Sequence, residues 1–145
     1  ASTEYGYIEK GTPFKNSTFC TVKSFVEKPD KDKAQTYLDH GGFYWNSGMF
    51  IWKNSFFKKC LQKHQPQMSD LINKFNWNTF NESIESFFEN VTSISIDYAV
   101  MEKEKSVTTT PFLSPWSDIG TWESLKKLIE KENLEICNQL KKHLE

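Results

Sequence analysis

Phe43-Tyr44-Trp45-Asn46-Ser47-Gly48-Met49-Phe50-Ile51-Trp52 is the most apolar run in an otherwise polar chain, and its residue types favour strands. Asn46, Ser47 and Gly48 interrupt it. An amide, a hydroxyl and a missing side chain are costly inside a buried strand unless something polar meets them. A glycine in such a place marks a bulge or the approach of a ligand to the backbone. Both readings stand on these residues alone: polar atoms bonding neighbouring backbone, or polar atoms waiting for a ligand.

Outward from this stretch, strand and helix signals alternate. Residues 5–10 read as a short strand, Gly11-Thr12-Pro13 as the turn after it, and residues 19–28 as a second strand stopped by Pro29. Asp30 is a good N-cap for a helix whose stripe is Ala34, Tyr37 and Leu38, and Gly41-Gly42 ends it. Downstream, Asn54 or Ser55 can cap a helix that turns Phe56, Phe57, Cys60 and Leu61 inward and closes at Pro66. Residues 68–75 and 80–91 give two more helices whose aromatic stripes read as core. Residues 94–98 alternate like a strand, 99–103 suit a short helix, and 107–112 a β-branched strand. A loop over 115–122 leads into a helix capped by Thr121, with Trp122, Leu125, Leu128 and Ile129 expected inside. Residues 126–145 read as a divergent helical tail. The pattern argues for a single α/β domain over 1–145, with a mixed sheet flanked by helices.

The totals narrow the function classes. A net charge of −1 with no stripe of Lys or Arg argues against nucleic acid and against an anionic membrane surface. No segment is long and apolar enough to span a bilayer. Cys20, Cys60 and Cys137 have no zinc spacing, and His40, His64 and His143 are as scattered, which disfavours transition-metal ligation and Cys–His catalysis. A reduced, cytoplasmic setting is expected.

Acidic groups stand at three expected element ends: Glu27, Asp97 and Asp118. Open α/β sheets bind ligands at strand ends, so these positions suit a site. Asp118 can reach Mg²⁺, which takes one or two carboxylates together with substrate phosphates; its competing role is a helix N-cap. Lys28 can meet a phosphate or its neighbour Glu27. Asp30-Lys31-Asp32 matches a metal-binding D-x-D pattern, but capping is the better reading at a helix start. No glycine-rich loop that cradles a nucleotide's phosphates occurs in the sequence.

Five motifs then occur in order: Tyr5-Gly6-Tyr7-Ile8, Phe25-Val26-Glu27-Lys28-Pro29, Trp45-Asn46-Ser47-Gly48-Met49-Phe50, Ser95-Ile96-Asp97-Tyr98-Ala99-Val100-Met101-Glu102-Lys103 and Trp116-Ser117-Asp118-Ile119-Gly120-Thr121-Trp122. Together they resemble the second half of the catalytic domain of mannose-1-phosphate guanylyltransferases, over most of residues 3–125. The resemblance implies a partial nucleotidyltransferase fold of the GT-A, Rossmann-like kind, lacking its N-terminal nucleotide-binding half. It implies a parent reaction in which mannose 1-phosphate and GTP give GDP-mannose and pyrophosphate. By the same resemblance Tyr5 and Gly6 line the sugar pocket, Glu27 bonds sugar hydroxyls, and Lys28 meets a phosphate. Asn46, Asp97 and Tyr98 complete the sugar site, and Asp118 holds Mg²⁺.

Two departures accompany the resemblance. Glu4 stands where the family usually has glycine, and the residues after Leu125 leave the family pattern. The expectation is a sugar-phosphate-binding half that is inactive alone and that forms a homo-oligomer or is complemented by an N-terminal half. The alternative is a non-catalytic sugar-phosphate-binding or regulatory module working with a separate N-terminal partner.

Overall fold

The computed structural model describes residues 1–114 and 116–132. The chain divides into two compact units, one over Ala1–Pro111 and one from Phe112 onward. In the first, β1 (Tyr7–Pro13), β2 (Cys20–Val26), β3 (Phe43–Trp45) and β4 (Thr108–Thr109) form one sheet in the order β3-β1-β2-β4. The fold class is the α/β one expected. Within it every neighbouring pair of described strands is antiparallel, where a mixed sheet was expected. The connection through α1 (Lys31–His40) explains this, because it carries the chain from β2 past β1 to β1's far edge. Strands β2 and β3 therefore point the same way without pairing.

Helix α1 starts and stops where the sequence says it should. The Asp30 carboxylate accepts from the Lys33 N–H at 2.8 Å, which settles Asp30-Lys31-Asp32 as a cap. Gly41, at φ +68°, ends the helix in a backbone conformation that suits glycine. On the sheet face under α1, Tyr37 stacks on Phe43 at 4.3 Å between centroids and tilts against Tyr7 at 5.5 Å. The opposite face holds the main core. There Phe25 packs with Cys60 and Leu61 of α2 (Asn54–His64) and with Ala99, Val100 and Met101 of a π-helical turn over Asp97–Met101. Met68 and Ile72 of α3 (Pro66–Lys74) pack against that cluster, and α4 (Phe80–Asn90) follows.

Several local expectations are corrected. The apolar run over 43–52 is a strand for only three residues. The Asn46 side-chain oxygen takes the Gly48 N–H at 3.0 Å and Gly48 sits at φ +71°, so a local turn ends the strand. Beyond it Met49 is exposed and Ile51 fully so. Gly11-Thr12-Pro13 lies inside β1, not in a turn. Gly11 lets β1 press against Thr21, whose hydroxyl oxygen accepts from the Thr12 N–H at 2.9 Å. The reversal comes later, closed by the Phe14 N–H on the Phe19 carbonyl.

Asn54 and Ser55 lie within α2 and cap nothing, and Phe56 is exposed. No residue of α4 is buried; Phe80 and Phe88 face outward, while Phe75 gathers Trp77, Phe80 and Phe87 around it at the surface. Residues 94–98 make no strand, because the π turn begins at Asp97, and the strand expected over 107–112 shrinks to Thr108–Thr109.

In the second unit α5 runs over Trp122–Glu132. The Thr121 hydroxyl accepts from the Ser124 N–H at 3.1 Å, as its capping role requires. Trp122 is exposed and Leu125, Leu128 and Ile129 are half-buried, so the interior expected for them is only partial. The tail over 133–145 lies outside the described residues.

Candidate functional site

Three neighbouring strands end side by side. Gly6 precedes β1, Glu27 follows β2 and Asn46 follows β3; because β1 runs against both neighbours, all three residues lie at one end of the sheet. The Asn46 N–H bonds the Gly6 carbonyl at 2.7 Å, which extends the β1–β3 ladder by one step. Gly6 is buried, and a Cβ on it would come within 2.5 Å of Glu27 Oε2 and 3.3 Å of Asn46 Cβ. Only glycine allows those two side chains to converge there.

The polar atoms at this strand end are unevenly matched. Asn46 Nδ2 donates to Asp97 Oδ1 at 3.2 Å, so the residue that breaks the apolar run faces the start of the π turn. Its oxygen serves the Gly48 N–H, so both readings of Asn46 hold in part: local turn on one atom, carboxylate contact on the other. Glu27 Oε2 is buried and has no hydrogen-bond partner among the described residues. Its other oxygen lies 3.9 Å from Lys28 Nζ, a loose pairing with an exposed ammonium. Burial, then the charge of Asp97 and, less, that of Glu102 push the Glu27 carboxyl above the ordinary range, against the opposing pull of Lys28. A buried carboxylate oxygen without a donor is costly, and a hydroxyl-bearing ligand would satisfy it.

The remaining expected residues are placed as follows. Tyr5 tilts against Trp45, with 5.2 Å between ring centroids, beside Gly6. Tyr98 follows Asp97 in the π turn with its ring nearly half exposed. Lys28 adopts φ +42°, which is rare for a side chain with a Cβ, and it does so just before Pro29. Tyr5, Gly6, Glu27, Lys28, Asn46, Asp97 and Tyr98 thus all belong to the first unit. Asp118 belongs to the second, where its carboxylate turns toward Gly120, 3.7 Å from where a Cβ would stand. The capping role that competed for Asp118 falls to Thr121. Among the described residues no group of three or more His, Cys, Asp or Glu could hold a metal ion. The donor set at Asp118 is one carboxylate, which fits an ion that keeps waters and takes phosphate oxygens.

Sequence reasoning missed two carboxylates. Glu102 Oε1 accepts from the Glu27 N–H at 2.9 Å. Glu104, buried, accepts from His64 Nε2 at 2.9 Å, Lys63 Nζ at 3.1 Å and the Ser106 N–H at 2.9 Å. The hydrogen bond from His64 leads the effects that pull its carboxyl down to about 2. Its thiol neighbour Cys60 is pushed up by burial first and by the Glu104 charge second. In the sequence Glu102 was only one member of the Ser95–Lys103 motif, and its place five residues after Asp97 gains meaning once a π turn is known to join them.

The likeness to known proteins agrees with these motifs. The family model described as "Nucleotidyl transferase" matches residues 1–134. "Xanthan biosynthesis protein XanB" of Xanthomonas campestris pv. campestris is 39% identical over 136 residues, 90% of this chain and 28% of that protein. "Mannose-1-phosphate guanylyltransferase 2" of Escherichia coli O157:H7 is 36% identical over 136 residues, 86% of this chain and 28% of that protein. A crystal structure described as mannose-1-phosphate geranyltransferase from Thermus thermophilus superposes with a TM-score of 0.74 at 31% identity, covering 88% of this chain and 36% of that one. The chain spans under a third of the length of the two curated relatives. With a match over nearly all of its residues, and with relatives that bear the name its motifs suggested, the chain belongs to the nucleotidyl transferase family.

Proposed function

We propose that this chain is the sugar-phosphate-binding part of a mannose-1-phosphate guanylyltransferase. The observation that carries the reading is the buried, partnerless Glu27 Oε2, set against Gly6 where three strand ends meet. A sugar hydroxyl donating to that oxygen supplies what the fold leaves out. Asn46 and Asp97, already bonded to each other, offer further polar atoms beside it, and Tyr5 and Tyr98 offer ring surface. The Lys28 ammonium, exposed beside Glu27, is suited to the phosphate of the same ligand.

In the parent reaction a phosphate oxygen of mannose 1-phosphate attacks the α-phosphorus of GTP. The new P–O bond forms as the bond to the bridging oxygen of the β-phosphate breaks, and pyrophosphate leaves with that electron pair. Such transfer needs positioning and charge neutralisation more than a protein nucleophile. Gly6, Glu27, Asn46 and Asp97 would orient the sugar so that its phosphate presents the attacking oxygen, while Lys28 offsets the charge. Asp118 would hold Mg²⁺, which neutralises charge on the phosphates when bound.

The sequence has no glycine-rich phosphate loop, so GTP binding falls to a nucleotide-binding half supplied by further chain or by a partner. The same fact supports the second reading, a non-catalytic sugar-phosphate module with an N-terminal partner. Among the described residues no helix is long and apolar enough to cross a membrane.

The test is a calorimetric titration of this chain with mannose 1-phosphate, with and without Mg²⁺, alongside Asp118→Ala. Saturable binding that Mg²⁺ strengthens and Asp118→Ala weakens is the expected result. No saturable binding would overturn the half-site reading. Steady pyrophosphate release from GTP and mannose 1-phosphate by the chain alone would overturn the division of labour.

A further inference from the structure

We infer that Glu102 is the positioning residue of the Glu27–Lys28 corner, aimed at it by the π turn that starts at Asp97. The inference rests on Glu27 and Lys28 being ligand-binding groups, as proposed above.

A single turn of chain serves both flanks of the site. Its Asp97 carboxylate takes Asn46 Nδ2 at the end of β3, and the Glu102 carboxylate takes the Glu27 N–H just past β2. Gly6 lies between those two strand ends. In an α-helix residues five apart point about 140° away from each other. Here the Glu102 N–H closes on the Asp97 carbonyl at 3.0 Å, the five-residue step of a π turn, which brings such residues back toward one side. The turn is fixed from behind, since Ala99, Val100 and Met101 are buried in the core and Gln65 Nε2 donates to the Ala99 carbonyl at 3.1 Å.

The corner needs such a hold. Lys28 sits in the left-handed region directly before Pro29, whose ring steers the preceding residue toward extended backbone. Strain of this kind persists only where surroundings dictate it, and it gathers at functional sites. The bond from the Glu27 N–H to Glu102 fixes the Val26–Glu27 peptide, one residue before the strained Lys28. Glu102 is itself exposed, so burial does not account for it. It also places a negative charge near the Glu27 carboxyl, a cost that a merely structural acceptor such as a carbonyl would avoid.

The experiment compares Glu102→Ala and Glu102→Gln in the 145-residue chain by two readouts. One is hydrogen exchange of the Glu27 amide by NMR, which needs no ligand; the other is affinity for mannose 1-phosphate. Glu102→Ala should speed exchange of that amide and weaken binding, each about tenfold. Glu102→Gln keeps an acceptor oxygen and should restore both to within about twofold of wild type. An unchanged Glu27 amide in Glu102→Ala overturns the inference. So does a lost amide bond with unchanged affinity, or a Glu102→Gln as impaired as the alanine variant. Failure of the wild-type chain to bind mannose 1-phosphate would overturn the functional reading instead, while the amide readout would still decide what Glu102 holds.

Discussion

Two carboxylates in the first unit occupy opposite situations. Glu104 is buried between α2 and the residues after the π turn, and donors from Lys63, His64 and Ser106 surround it. Glu27 is also largely buried, yet one of its oxygens meets no donor, and the nearest cation is a loosely placed Lys28. The charged form of Glu104 is held by the fold, while the charged form of Glu27 is disfavoured by it. A carboxylate satisfied within the protein works for the fold. One left unsatisfied at a strand end is open to a ligand.

The comparison makes its largest claim on stability. Glu104→Ala should destabilise the chain by about 3 kcal/mol, because it strands the nearly buried His64 without its acceptor. Urea unfolding measures this, and affinity for mannose 1-phosphate in the folded variant should hold within about twofold. A weakened site with unmoved stability would invert the comparison.

Next in size is Gly6→Ala. A methyl group cannot share the space with Glu27 Oε2 and Asn46 Cβ, so the variant should lose affinity by more than about tenfold and stability by about 1–3 kcal/mol. Unchanged affinity would mean that nothing binds where those side chains converge.

Glu27→Gln should be the mirror of Glu104→Ala. Stability should stay within about 0.5 kcal/mol or rise, because a poorly matched charge is removed, while affinity falls about tenfold. A loss of stability as large as that of Glu104→Ala would make Glu27 a structural carboxylate after all.

Acid titration sharpens the contrast further. The Glu104 carboxyl falls from 4.5 in the unfolded chain to about 2 in the folded one, so its contribution is complete above 4.5 and is lost as pH drops toward 2. Glu27 acts with the opposite sign. Its folded value lies above 4.5, so it favours folding at pH below 4.5 and loses that contribution as pH rises through the folded value. Below pH 4.5, urea midpoints should therefore fall less steeply with acid in Glu104→Ala than in wild type. Above 4.5, up to the folded Glu27 value, they should fall more steeply in Glu27→Gln, which lacks the gain from protonating that carboxyl.

Much of this was legible in the chain. Asp30, Gly41 and Thr121 mark helix ends through bonds that reach four residues or fewer, and residue types at such short spacing are readable in sequence. The interruption by Asn46 flagged a polar demand correctly, and the order of five motifs indicated the family. The apolar run over 43–52 was misjudged, because the turn made by Asn46 and Gly48 outweighed the strand preference of Met49, Phe50, Ile51 and Trp52. The aromatic stripe of α4 was likewise assigned to an interior that the described fold does not build around it.

The sequence by itself determined which residue types were available, where helices begin and end, and to which family the chain belongs. Tertiary structure alone decided which carboxylate finds its donors within the fold and which keeps a buried oxygen without one. That division depends on partners far apart along the chain: Glu27 with Glu102 across 75 positions, Asn46 with Asp97 across 51, and Glu104 with His64 across 40. Local preference acts over a turn or two of backbone. Whether a buried oxygen finds its donor is settled only when the distant elements have packed.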